Sequence, residues 1–221
     1  MDNPPVTKQS NETEIVVYAK IDNVEGLSKA SSKEDHYQLE ARFESGSKSR
    51  LRQVTIDDNK EYLLTIKVKN TPKEDDKEEL VSESVEYTTV VDALFLKGYE
   101  QIASSSINKT RYIFISKDTA LEYTKDDEKV TVTIPEIKYE VDVFKDSEGN
   151  DTEWCKIDVE VDNILNYLKV HHPELDEIDF IVRIAHLPFH PVKPIVMSSA
   201  TDEQKEFIDN LWKTKFCKSL V

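Results

Sequence analysis

Five segments of this chain alternate apolar residues with charged ones at a period of two: SRLRQV (49–54), EYLLTIKVK (61–69), NKTRYIF (108–114), YEVDVF (139–144) and CKIDVEV (155–161). Side chains two apart on a strand share a face. Arg50 with Arg52, Lys67 with Lys69, Lys109 with Arg111, Glu140 with Asp142, and Asp158 with Glu160 therefore form same-face pairs, each backed by an apolar face. This period specifies strands rather than amphipathic helices. One reading places the charges in water, where cross-strand ion pairs help fix the register. The other gathers them inside a closed sheet. The pairs divide by strand into basic and acidic sets, which favours the second. EIVVYAKI (14–21), HYQLEARFE (36–44) and SESVEYTTV (82–90) bring the number of strands to eight, enough to close a barrel.

Alternation alone leaves both readings open, and in the second the expected fold is α+β, an eight-stranded antiparallel β-barrel with flanking helices. Residues 1–13 read as a polar tail, 14–162 as the barrel, and 163–221 as a C-terminal helical extension packed on it. The polar links SGSK (45–48) and DDNK (57–60) suit antiparallel hairpins. VDALFLKGYEQIA (91–103) changes to helical spacing, with Asp92 as a candidate N-cap. Pro135 predicts a bulge or an edge position. A helix is expected over 163–170, whereas HLPFHPVKP (186–194) is too rich in proline to be one. Thr201 and Gln204 have capping-box spacing at the head of a last helix, whose stripe of Phe207, Ile208, Leu211 and Trp212 predicts docking on the barrel.

Composition removes several function classes. A net charge of −15 argues against a basic surface tracking duplex DNA. The four glycines form neither a dinucleotide fingerprint nor a phosphate-cradling loop, so any phosphate site must be built from side chains. Two cysteines, Cys155 and Cys217, give no disulfide framework, and the chain begins with no secretory pattern and holds no apolar run of membrane-spanning length. A cytoplasmic protein is expected. His171 with His172, and His186 with His190 across Pro188, have poor geometry for a helical zinc pair. Cys155 is expected to be buried packing, and Trp154 and Trp212 to be core residues.

In order, RLR (50–52), LTIKVK (64–69), KTRY (109–112), EVDVF (140–144) and DVEV (158–161), with a helix between Glu86 and Lys109, resemble the CYTH, or triphosphate tunnel metalloenzyme, family. The resemblance implies a tunnel in which Arg50, Arg52, Lys67, Lys69, Lys109 and Arg111 bind phosphate. Arginine forks match phosphate oxygens and lysine adds a point charge. It also implies Mg2+ or Mn2+ held by Glu140, Asp142, Asp158 and Glu160, with Glu140, Asp142 and Glu160 serving catalysis. Lys20, Glu40, Arg42 and Glu86 are further candidates. Implied substrates are inorganic tripolyphosphate, nucleoside triphosphates, thiamine triphosphate and the 5′-triphosphate end of RNA.

The acidic half departs from the family pattern. The first-strand signature ExExK is missing: with Lys20 as its lysine, Val16 and Tyr18 occupy the glutamate positions. Two readings stay open. The chain binds a triphosphate-bearing ligand and, if active, hydrolyses it as a metal-dependent triphosphatase. Alternatively, it is a non-catalytic module that binds a nucleotide, an RNA-derived phosphate, or a protein partner through its acidic surface or C-terminal region. Neither reading involves a membrane.

Overall fold

The computed structural model describes residues 7–21, 24–43, 47–69, 82–125, 128–160 and 192–220. Among these residues ten strands are formed: β1 (Lys8–Lys20), β2 (Ser32–Arg42), β3 (Lys48–Ile56), β4 (Asn59–Lys69), β5 (Ser82–Val90), β6 (Ser105–Lys125), β7 (Glu128–Lys145), β8 (Asp151–Glu160), β9 (Val192–Val196) and β10 (Lys218–Ser219). The helices are α1 (Val24–Leu27), α2 (Leu94–Glu100) and α3 (Asp202–Leu211). A 3-10 turn (Met197–Ser199) precedes α3 and a π-helical turn (Trp212–Phe216) follows it.

The strands make one antiparallel sheet in the order β10, β6, β2, β3, β4, β5, β1, β8, β7. β9 is added on β1, and β6 and β7 are also paired with each other. The expected α+β class with an eight-stranded barrel is therefore corrected: the protein is mostly β, built on a single ten-stranded antiparallel sheet. The reason lies in the segments read as flanking helices. Among the described residues, the helices before β6 are only four and seven residues long, and the chain beyond residue 191 adds two short strands as well as α3. The helix expected over 163–170 and the four histidines 171, 172, 186 and 190 lie outside the described residues.

Local signals account for most boundaries. The β3–β4 hairpin turns at Asp57 and Asp58, whose φ values of 46° and 67° have the positive sign that a tight primed turn requires. Asp92 Oδ1 accepts the Leu94 backbone N–H at 2.8 Å, holding the head of α2. In the β6–β7 ladder, Lys117 pairs with Glu136 and Thr119 with Ile134. The step between them, opposite Pro135, is unpaired, and Asp118 there has φ 48°. β1 begins at Lys8, inside the stretch read as a polar tail, because ladder hydrogen bonds to β5 use the backbone and need no apolar side chain.

The apolar strand faces pack outward. Ile15, Val17, Tyr139, Val141, Ile157 and Val159 join one core cluster, and Leu39 and Leu51 meet Tyr99 and Ala103 beside α2 in another. A third cluster seats α3 and the π turn, through Ile208, Leu211 and Phe216, on Tyr18, Ile107, Phe144 and Trp154. The expected capping box is present: the Thr201 side chain accepts the Gln204 backbone N–H at 3.3 Å, and the Gln204 side chain accepts the Thr201 N–H at 2.9 Å. Thr201→Ala should lower stability by about 1 kcal/mol, read from the urea midpoint at unchanged slope. An unshifted midpoint would deny the cap that role.

Candidate functional site

With the apolar faces turned outward, the charged faces converge on one cavity of about 1130 Å³, lined from β1 through β8 and roofed at one end by α3 and the π turn. Of the residues singled out from sequence, Arg50, Arg52, Lys67, Lys109, Arg111, Glu140, Asp142, Asp158 and Glu160 line it, as do Glu40, Arg42 and Glu86. Lys20 does not. At the end of β1 it bonds Glu153 at 2.7 Å and lies over the Trp154 ring. The Lys69 side chain is outside the described residues.

The carboxylates are held by the protein's own cations. Arg111 grips Asp142 with two hydrogen bonds, Nε to Oδ1 at 2.7 Å and Nη2 to Oδ2 at 2.9 Å, and also pairs with Glu140. Lys109 shares Asp142 Oδ2. Lys138 reaches Glu140 at 2.9 Å and Glu160 at 2.6 Å, and Lys156 pairs with Asp158. Arg50 pairs with Glu86, which also meets Lys67 at 3.2 Å.

The proton affinities follow from this wiring. Burial alone would raise the Asp142 carboxyl, but Arg111 and then Lys109 hold it well below the usual carboxylate range. Burial likewise works against Glu140, which Arg111 and Lys138 hold at about 2. Lys109 is pushed down to about 8 by burial and then by Arg111, which together outweigh the opposing pull of Asp142. Cys155 is inert packing, its thiol pushed up to about 12 by burial.

Lys138 and Lys156 escaped the sequence reading, although the signal was present. Each stands two residues before a singled-out acid, in KYEVD and KIDVE, and therefore on the same face. The supposedly all-acidic strands each carry their own lysine. This bears on the implied magnesium or manganese. Hard cations need oxygen ligands, and here Glu140, Asp142, Asp158 and Glu160 are each committed to an ammonium or guanidinium group. Among the described residues no three acidic, histidine or cysteine side chains are disposed to hold a metal. The residues present do not fit a resident metal ion.

Arg52 is the exception to this pairing. It donates to Thr65 Oγ1 at 3.0 Å, its Nε is buried without an acceptor, and among the described residues no carboxylate forms an ion pair with it. Burial first, then Arg50 and Arg111, push its guanidinium down to about 10. Arg50 Nε is also buried without an acceptor. Arg50 is nonetheless paired with Glu86 through Nη2, so Arg52 differs from it in having no carboxylate partner among the described residues.

No protein-family model and no curated protein matches the chain. Among solved structures, it is similar to the PH1012 protein of Pyrococcus horikoshii OT3 (16% identity over 86% of this chain and 93% of that one, TM-score 0.44). A conserved hypothetical protein of Pyrococcus furiosus shows 14% identity over the same shares, with TM-score 0.43. The PH1819 protein of Pyrococcus horikoshii OT3 shows 13% identity over 93% of each chain, with TM-score 0.40. No described helix is long and apolar enough to cross a membrane.

Proposed function

We propose that this protein binds a polyphosphate-bearing anion in the cavity, using Arg50, Arg52, Lys67, Lys109 and Arg111, and does so without a resident metal ion. The observation that carries the reading is Arg52, a half-buried guanidinium on the cavity wall with no carboxylate partner among the described residues and a buried Nε–H without a protein acceptor among them. A phosphate oxygen supplies both the missing charge and the missing acceptor, in the bidentate geometry that guanidinium favours. The ordered motifs resembling triphosphate-tunnel proteins point the same way. The ion pairs at Glu86 and Asp142 keep neighbouring basic groups charged and positioned at the same wall.

Calorimetric titration with sodium tripolyphosphate at low ionic strength tests this. Binding is expected in EDTA, at least as tight as with Mg2+ present, and it should weaken as salt screens the site. It should also weaken as pH rises through about 8, where ligand-free Lys109 loses its proton. Above that pH, binding must take up a proton, visible as a dependence of the enthalpy on the buffer's ionisation heat. No binding at low salt would sink the reading. Binding that requires Mg2+ or Mn2+, with phosphate released, would replace it with metal-dependent hydrolysis.

A further inference from the structure

Six apolar side chains lie exposed on the outside of the sheet. On β4 and β5, Ile66, Val68 and Tyr87 point away from the cavity, because their sequence neighbours Lys67, Glu86 and Thr88 line it. Ile66 and Tyr87 are directly paired in the ladder, and the three are 42%, 39% and 39% exposed. α2 stands next to them. It leaves β4 where the Val91 N–H bonds the Tyr62 carbonyl, crosses β3 and β2 with Tyr99 on Leu51 and Leu39, and is followed by the Ser104 N–H bonding the Glu40 carbonyl. Leu94 (78% exposed) and Phe95 (55%) on α2, with Ile102 (65%) in the turn that follows, face away from the sheet. Taking about 180 Å² for a large apolar side chain, the six present roughly 500–600 Å². That is the upper end of what a monomer shows as one patch.

Charge and shape indicate what covers this surface. A third of the chain is charged and its net charge is −15. Yet no outward-facing position between Tyr62 and Val68 on β4, or between Val85 and Thr89 on β5, carries a charge. The exposed flank of α2 adds one of each sign, Lys97 and Glu100. A basic partner would be drawn to carboxylates, and this face offers only one. An equally acidic second copy can approach only where the meeting faces are neutral. In shape, α2 stands about 10 Å above the sheet, so each copy has a ridge and, beside it, a step floored by Ile66, Val68 and Tyr87. A twofold axis sets the ridge of each copy in the step of the other, a self-complementary fit. Gly98 lies four residues from both Leu94 and Ile102, in the middle of the ridge. Glycine inside a helix costs about 0.5–1 kcal/mol against alanine, and a Cβ built there would meet nothing within 4 Å. A second sheet packed closely on the helix backbone accounts for it.

We infer that the protein is a twofold homodimer in which α2 of each copy, through Leu94, Phe95 and Ile102, packs on Ile66, Val68 and Tyr87 of the other. With the polar positions around them, the contact reaches the roughly 800 Å² per partner of a standard stable interface. It uses the face of the sheet opposite the cavity, and so stands whatever the cavity binds.

Sedimentation equilibrium of the full chain at tens of micromolar tests this. The native protein should sediment at twice its chain mass of 25.5 kDa, and the dimer should tighten as salt screens the repulsion between two acidic copies. Leu94→Asp and Ile66→Lys should each weaken association by about 100-fold or more, because each buries an unpaired charge in the interface. Both positions are exposed in the single copy, so both variants should keep the native circular dichroism spectrum. Mixing L94D with I66K should restore a dimer: one of the two helix-to-sheet seams is then native on both sides, and the other brings Asp and Lys together. A native chain that sediments as a monomer overturns the inference, and so does a dimer that both variants leave intact. Folded variants that stay monomeric when mixed overturn it too. Phe95→Asp takes the place of L94D if that variant does not fold, and the mass of the native chain decides the matter even without variants.

Discussion

Replacing Arg52 by methionine should make this protein more stable, by about 2 kcal/mol, and at the same time abolish tripolyphosphate binding. Most substitutions at a packed position destabilise. Arg52 should depart from that rule because it is desolvated beside Arg50 and Arg111 with no carboxylate partner among the described residues, a cost visible in a guanidinium pushed down to about 10. Methionine keeps the apolar stem and removes the charge. Thr65 loses one donor but retains Thr88 Oγ1 at 3.0 Å. Urea unfolding and calorimetric titration on the same preparation check both halves. A destabilised R52M protein that still binds tripolyphosphate would show that Arg52 supports the fold and does not hold the anion.

Arg111→Leu should have the opposite sign and a larger size, with a loss of about 3–5 kcal/mol near neutral pH. Arg111 compensates two carboxylates at once, and Asp142 is 1% exposed. Removing the guanidinium leaves Asp142 buried against Lys109 alone and Glu140 against Lys138, which also serves Glu160. The pH dependence separates this mechanism from simple loss of packing. In the native protein Glu140 titrates at about 2, below its ordinary value of 4.5, and Asp142 is also depressed. The Glu140 contribution is therefore complete above about 4.5 and lost as pH falls through about 2, and that of Asp142 has the same sign. The variant lacks the depression, so its stability gap to the native protein should narrow on acidification across that window. Adding Glu140→Gln and Asp142→Asn to R111L should recover part of the loss at pH 7. A gap independent of pH, with no recovery, would assign the loss to packing alone.

The period-two pattern made the strand faces legible, and with them Arg50, Arg52, Lys109 and Arg111, because alternation is a local property of a strand. It did not reveal how the charges pair across strands, which depends on register between segments far apart in sequence. Asp142 stands opposite Arg111 in the ladder, a relation invisible within EVDVF. Lys138 and Lys156 could have been read from their i−2 spacing, and noticing them would have weakened the metal assignment at once. Lys20 shares the face of Glu14, Val16 and Tyr18, but parity says nothing about how far along the strand the cavity extends. The last helix was legible from Thr201 and Gln204, whereas its place as part of the cavity roof rests on long-range contacts of Trp212 with Tyr18 and Phe144.

The first strand also governs how the molecule forms. Among the described residues β1 has no partner close to it in sequence: it pairs with residues 82–88, 154–160 and 192–196. During synthesis its apolar Ile15, Val17 and Ala19 must wait while β2, β3 and β4 join by hairpins, and the Glu14 side of the cavity cannot exist until β5 and β8 arrive. Topology of this kind slows folding and lengthens the time an unpaired strand is exposed to other chains. The cavity is thus among the last parts assembled, and refolding yield should fall steeply with protein concentration.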